Sequence, residues 1–256
     1  MMRKLFLSVV IVLVVLIVVA VIVVGFFLGT IVKTGMETVG PKITQVSIKV
    51  DAVKLTLLTG SARVKGLVVG NPDGYKTPQA ISVGSTAVDV NPFSVLSDKI
   101  VVRSVRVEAP EITFEGDPFS GNNLGKIMQN VNAVAKSGGP GSANAAARVG
   151  NEPGQKIEVD DFWITGAKVH VSLPGMGGKE MILPLPDIRL INLGKDNAGI
   201  TATDLTRRVL EAIITATIKA VASATTDIGK GAGKAVGEGM NKITSGVGGL
   251  FKKSTN

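Results

Sequence analysis

Hydrophobic and polar positions divide the chain into an apolar start, a long stretch of strand-like alternation and a second helical region. The apolar start covers residues 5–32, which contain no charged side chain and follow Arg3 and Lys4. As a helix rising about 1.5 Å per residue, residues 5–28 alone would be about 36 Å long, more than a hydrocarbon core of about 30 Å. We therefore predict a transmembrane anchor at residues 5–32. Its anchoring side chains are Leu5, Phe6, Leu13, Leu16, Phe26, Phe27 and Leu28.

A cleaved signal peptide is the alternative interpretation of this start. The apolar core of such a peptide usually runs for only about 7 to 15 residues and ends in a small-x-small cleavage site, whereas this run is longer and lacks that site. We expect the segment to be retained. Cationic residues before a span stay in the cytoplasm, although Lys33 and Lys42 after it weaken the bias. The expected topology is single-pass, with residues 1–4 cytoplasmic and the body on the other side.

The body, at residues 43–195, follows largely the two-residue period of β-strands. Between Gln45 and Asp51, for example, apolar side chains at 46, 48 and 50 alternate strictly with polar ones, as in a strand with one buried face. Further short runs are separated by turn residues, which favours a meander of antiparallel strands. The predicted fold class is α+β.

Two extended segments of the body match each other without a gap. Lys99–Phe114 and Lys156–Val171 lie 57 residues apart, and apolar positions of one fall on apolar positions of the other. Both copies change phase at the same place, between Val102 and Val105 and again between Val159 and Phe162, as a β-bulge or a bend would require. This match indicates a repeated supersecondary unit. Independent amphipathic strands could produce part of it, and that alternative stays open here.

Helical spacing appears in two places outside the strands. Residues 122–135 carry one apolar stripe and predict a short helix packed on the sheet. Residues 203–225 have a broad apolar face opposite a polar one, which predicts an amphipathic helix that docks either on the sheet or on a membrane surface. Residues 136–154 are rich in Gly and small residues, so we expect a flexible loop. The tail at 226–256, rich in Gly and Lys, would be ordered on a bilayer or partner, or solvated and disordered.

Composition narrows the range of functions. The chain has 28 Lys and Arg against 20 Asp and Glu but few aromatic residues. It therefore lacks the aromatic side chains on which bases usually stack, and we expect no nucleic-acid partner. The positive charge suits either anionic headgroups or solubility. There is no cysteine. No phosphate-binding loop, nucleophile motif or metal-ligand spacing is present, His170 stands alone, and Asp160 and Asp161 should point to opposite faces. We expect no cofactor, no metal and no enzymatic activity.

Several segments taken together resemble the AsmA family of bacterial envelope proteins. Besides the anchor, they are GLVVGNPDGY at residues 66–75, the segment from Val88 to Glu115, the Asn-Asn-Leu triplet at 122–124 and the stretch at 184–194. The resemblance covers most of residues 1–195. It implies an inner-membrane helix, a periplasmic body and a curved antiparallel β-rich sheet whose apolar groove, in larger relatives, is implicated in moving phospholipids. A groove of this length could not cross a periplasm alone, which leaves lipid binding or envelope organisation.

These observations lead to two functional hypotheses. In the first, an inner-membrane-anchored protein binds or transfers phospholipid, or maintains the outer membrane, through an apolar sheet face. In the second, the body and the cationic tail form a scaffold that recruits another envelope protein. Any candidate wall residue could instead belong to an ordinary core. The candidates are Val105, Val107, Ile112, Phe114, Phe162, Ile164, Val169 and Val171.

Overall fold

A computed structural model describes residues 2–117, 121–137, 156–172, 180–195 and 199–228. Its first element is the helix α1, Met2–Thr44. In the part of the chain that the structure describes, no helix is both long and apolar enough to cross a membrane. The anchor at 5–32 therefore stays a prediction. Most of the predicted loop at 136–154 and of the predicted tail at 226–256 lies outside the described residues.

The body is built around one large sheet of eleven described strands with helices packed on one face. The helices are α1, α2 (Asn123–Ser137) and α3 (Ala202–Ile228), and a short 3₁₀ helix spans Pro92–Leu96. The strands are β1 (Ile48–Lys49), β2 (Ala52–Thr56), β3 (Ser61–Gly70), β4 (Gln79–Val90), β5 (Lys99–Glu108), β6 (Glu111–Asp117), β7 (Gly121–Asn122), β8 (Lys156–Thr165), β9 (Lys168–Ser172), β10 (Met181–Pro184) and β11 (Ile188–Leu193).

The fold class α+β is confirmed, but the prediction of an antiparallel sheet is wrong for its centre. The early strands β1 to β5 form the predicted antiparallel meander. In contrast, β5 pairs with β8, and β6 with β9, in parallel. Parallel neighbours need a long crossover connection, and the chain between the two copies supplies one that contains α2. The sheet is therefore mixed.

The two matching segments lie side by side in the register that the sequence comparison suggested. Lys99 pairs with Lys156, and the same offset holds at Val107 and Ile164. It continues past the break to Phe114 and Val171. Equivalent positions of the two copies are thus direct neighbours, which continues each apolar row of one copy into the other.

The sheet bends along a line that crosses several strands. Gly66 on β3, Ala109 between β5 and β6, and Gly166 between β8 and β9 all have positive φ angles. At each of them the inward-facing set of positions shifts by one residue, as happens at a β-bulge. The segments β5 and β6 nevertheless run on along one strand, β4. This line produces the curvature of the sheet.

The helices cover the inner face of the sheet. From α2, Leu124, Ile127 and Val131 are buried in the main core, and α3 contributes Leu210 and Ile213 to the same core. The amphipathic segment predicted at 203–225 lies within α3, which packs against α2, β10 and β11. Of the two alternatives for this segment, the structure shows docking on the body.

Candidate functional site

An apolar cavity of about 330 Å³, partly open to the surface, lies between the inner face of the sheet and the three helices. This volume is near the lower end of the range for ligand pockets, about 300 to 1,000 Å³. The sheet forms the floor, and residues of α1 and α3 form most of the helical walls. The lining residues are Met36, Gly40, Ile43, Thr44, Ile48, Leu67, Val69, Ile81, Val83, Val107, Pro110, Ile112, Ile127, Phe162, Ile164, Leu205, Thr206, Val209, Leu210 and Ile213.

The floor of the cavity consists of apolar rows that cross the strands. Because side chains alternate between the faces of a strand, residues paired across strands share a face. Val107 and Ile164 form one such pair on the parallel strands β5 and β8. A longer row crosses six strands without a polar residue. It consists of Ile48, Val69, Ile81, Ile112, Val169 and Leu183. Its first four members line the cavity and its last two lie beyond it.

The cavity lining offers almost no polar chemistry. None of its residues carries a charge, and the side-chain polar groups are the hydroxyls of Thr44 and Thr206. Each hydroxyl donates to a carbonyl oxygen four residues earlier in its own helix, Thr44 to Gly40 at 2.9 Å and Thr206 to Ala202 at 2.8 Å. Their donor hydrogens are therefore already used. Such a lining suits an alkyl chain better than a polar ligand.

The structure separates the eight predicted wall residues into two groups. Val107, Ile112, Phe162 and Ile164 line the cavity. The others do not line it: Val105 is half-buried beside Phe162, and Phe114, Val169 and Val171 are fully buried in the core that also contains Leu124 and Val131. All eight face the interior, because the inward-facing set of positions shifts by one residue at Ala109 and at Gly166. The position of the helices then decides which of the eight reach the cavity.

The helical walls were missed as site residues at the sequence level. The stripe of α3 that includes Leu205, Val209 and Ile213 was recognised as apolar, and only its docking against the sheet makes it a wall. Nothing in the strand pattern pointed to Met36 and Gly40 of α1. These two residues reach the cavity because α1 continues to Thr44 and packs on the edge of the sheet.

The predicted anchor residues all lie on α1. Leu13, Leu16 and Phe27 are exposed and Leu28 is half-buried. The side chains of Leu5, Phe6 and Phe26 are outside the described part of the structure.

Three of the segments that carry the family resemblance, at residues 66–75, 88–115 and 122–124, meet at the end of the sheet where α2 begins. Asn123, fully buried, donates to the Asn71 side-chain oxygen and to the Thr113 carbonyl, both at 2.7 Å, and accepts from the Glu115 amide at 3.0 Å. The Glu115 carboxylate accepts from the Lys76 and Thr77 amides at 2.7 and 2.9 Å. Partial burial alone would raise the pKa of Glu115, but these hydrogen bonds outweigh it and lower the pKa. The network joins the turn after β3 to β6 and α2.

The convergence of these motifs agrees with a comparison to protein families. The family model described as "AsmA family" matches residues 1–172, more than half of the chain. The chain belongs to the AsmA family. Membership of the AsmA family indicates a protein associated with the bacterial envelope. No curated protein matches the chain.

On the outer face, this AsmA-family body carries clusters of charged side chains. Asp161 accepts hydrogen bonds from Arg189 at 2.8 Å and from the Trp163 indole at 2.7 Å, and the Arg189 guanidinium stacks on the Trp163 ring. The hydrogen bonds from Arg189 and Trp163 lower the pKa of Asp161. These hydrogen bonds and the ring contact link β8 to β11.

His170, the one histidine of the chain, is half-buried between two carboxylates. Its Nε2 contacts Glu111, and its Nδ1 lies 3.3 Å from Glu180. Among the described residues, no three His, Asp or Glu side chains are grouped so as to hold a metal ion. The cavity is therefore the feature of the described residues that best fits a binding site.

Proposed function

We propose that this AsmA-family protein is non-catalytic, is anchored in the inner membrane by residues 5–32 with its body in the periplasm, and binds acyl chains of phospholipids in the apolar cavity. The observation that carries this proposal is the lining of the cavity, which is aliphatic and aromatic apart from two threonines whose hydroxyls are already hydrogen-bonded. Transferring a hydrocarbon chain from water to such a surface is favourable in proportion to the area covered.

The position of the cavity supports a lipid from the adjacent membrane as the ligand. Met36, Gly40 and Ile43, which line one wall, follow the predicted span by only a few residues on the same helix. A helix rises about 1.5 Å per residue, so Met36 lies about 6 Å beyond the end of the predicted span. An acyl chain leaving the bilayer along α1 would reach this wall first.

The absence of catalysis is part of the proposal and has its own support. Acid-base or nucleophilic catalysis requires titratable or nucleophilic groups within hydrogen-bond reach of the bound molecule. No titratable side chain is among the cavity-lining residues that the structure describes. We therefore expect a bound acyl chain to be released chemically unchanged.

Native mass spectrometry of the full chain in mild detergent tests the proposal. We expect co-purified phospholipid with the wild type and its loss with Val107→Asp, because the new carboxylate would lie in the cavity. Arg106→Asp is the matched control: it places the same carboxylate on the neighbouring, exposed position of β5, and lipid should be retained.

Circular dichroism and thermal unfolding would establish that both variants fold. If folded wild-type protein carries no phospholipid, or if folded Val107→Asp retains as much as the control, acyl-chain binding in the cavity is contradicted. The first of these results would favour the scaffolding hypothesis.

A further inference from the structure

An exposed apolar tip projects from one end of the sheet. It consists of Leu57, Leu58, Phe93 and Val95, and the exposed fractions of Leu58, Phe93 and Val95 are 82%, 87% and 49%. Leu57 and Leu58 lie in the turn between β2 and β3, and Phe93 and Val95 lie in the 3₁₀ helix between β4 and β5. Large apolar side chains that stay in water at such exposure often mark an interaction surface.

The two parts of the tip are held together by backbone contacts. The Val90 amide donates to the Gly60 carbonyl at 2.9 Å, and Gly60, with φ of 74°, approaches Pro92 so closely that a Cβ there would lie 3.0 Å from the proline ring. Both segments are also free of charge, since residues 55–62 and 90–97 contain no Asp, Glu, Lys, Arg or His. The tip is thus one connected, uncharged surface.

Helix α1 runs alongside β1 and β2 in the direction of this tip. Glu37 accepts from the Val50 amide at 2.9 Å, and the Lys33 ammonium donates to the Asp51 carbonyl at 3.2 Å. Further towards its N-terminus, Gly29 lies against the carbonyl of Val53. Moving towards the N-terminus of α1 therefore means moving forward along β2 towards Leu58.

The length of chain between these contacts and the tip determines which residues of α1 lie beside the tip. From Val53 to Leu58 the chain advances by at most about 17 Å, at about 3.3 Å per residue. The same distance along α1 is about 11 residues. The tip therefore lies beside the helix between Gly29 and about residue 18, which is the C-terminal half of the predicted anchor.

We propose that the apolar tip inserts into the periplasmic leaflet of the bilayer that holds the anchor, so that the protein contacts the membrane at two points, the anchor and the tip. This inference rests on the membrane anchor of the proposed function. Lys54 and Arg63, the first charged residues of β2 and β3 below the tip, face each other directly across the strands and are both exposed. Neither forms an ion pair among the described residues. Two cations placed side by side repel each other. Their long side chains can extend towards the lipid phosphates at the membrane surface, which would neutralise both.

Single cysteines can test this docking because the chain has none of its own. The full chain would be reconstituted in nanodiscs of phosphatidylethanolamine and phosphatidylglycerol, with an environment-sensitive fluorophore attached at Leu58→Cys or Phe93→Cys. We expect a blue-shifted emission and quenching by doxyl-labelled lipids at both positions. Asp73→Cys, in the exposed turn at the opposite end of β3, is the matched control and should be quenched only by soluble iodide.

A fourth labelled position separates failure of the tip from failure of the anchor. Leu16→Cys lies within the predicted span on α1, so lipid quenching there reports insertion of the anchor itself. Quenching at position 16 with tip labels as accessible to iodide as position 73 would contradict only the docking. Lack of lipid quenching at positions 16, 58 and 93 would contradict the anchor and the docking together.

Discussion

Ala109 and Gly166 occupy equivalent positions in the two strand copies, and both have a left-handed backbone, with φ angles of 45° and 63°. They are neighbours in the sheet, since the Ala109 amide donates to the carbonyl of Thr165 at 2.8 Å. The bend that both create separates the Val107–Ile164 pair from the Ile112–Val169 pair. The curvature that shapes the cavity floor is therefore built into the repeat.

Gly166→Ala should lower the free energy of unfolding by about 1 kcal/mol, because a residue with a Cβ is disfavoured in the left-handed region. A Cβ at this position would meet only Ala109 atoms at 3.9 to 4.0 Å, so no clash adds to this cost. Ala109→Gly is the reciprocal variant and should leave stability unchanged or slightly higher. Denaturant unfolding of the detergent-solubilised chain measures both. Equal destabilisation by the two variants would contradict the backbone explanation.

Asn123→Ala should cost roughly 2 to 3 kcal/mol of stability, because it leaves the Glu115 amide and the Thr113 carbonyl without their partner at a fully buried position. Gln129→Ala removes a side-chain amide from the exposed side of the same helix, and this control should change stability by less than about 0.5 kcal/mol. Thermal unfolding of both variants provides the comparison. Similar melting temperatures for the two would show that the network does not hold α2 to the sheet.

Glu115 should make the stability of the body depend on acidity. Its pKa is lower in the folded protein than the usual value of about 4.3, so the charged form is favoured by folding. This contribution is present above the unfolded-state pKa and is lost as the pH falls through the lower folded-state pKa. Unfolding of the wild type and of Glu115→Gln at pH 7 and below pH 4 measures the effect. The wild type should lose more stability on acidification, and parallel losses would contradict the assignment.

Val209→Phe should reduce co-purified phospholipid without unfolding the protein, because the larger ring would occupy the cavity from the α3 wall. Overfilling a packed site costs about 1 to 3 kcal/mol, whereas an empty cavity accepts the added volume at lower cost. Ile191→Phe, at an exposed position on β11, adds a ring of the same size outside the cavity. Lipid retention equal in the two variants would place the ligand elsewhere.

Alternation along the strands predicted which residues share a face within each segment, and the gapless match of Lys99 to Lys156 coincides with the register in which the two copies pair. It did not predict that they would pair in parallel. The sequence pattern of a strand specifies its faces but not its partner or direction, and the direction here depends on the crossover through α2. The antiparallel prediction was wrong for that reason.

The sequence by itself determined the apolar face of the sheet, the family to which the chain belongs and the amphipathic stripe of α3, since these are local patterns that need no partner. Only the tertiary structure decided that Val107 and Ile164 border a cavity while Phe114 and Val171 are buried in the core. All four face the interior, although the inward-facing set of positions shifts by one residue at Ala109 and Gly166. They differ in what lies above them, which depends on where α1, α2 and α3 meet the sheet, and that is set by packing between segments distant in the chain.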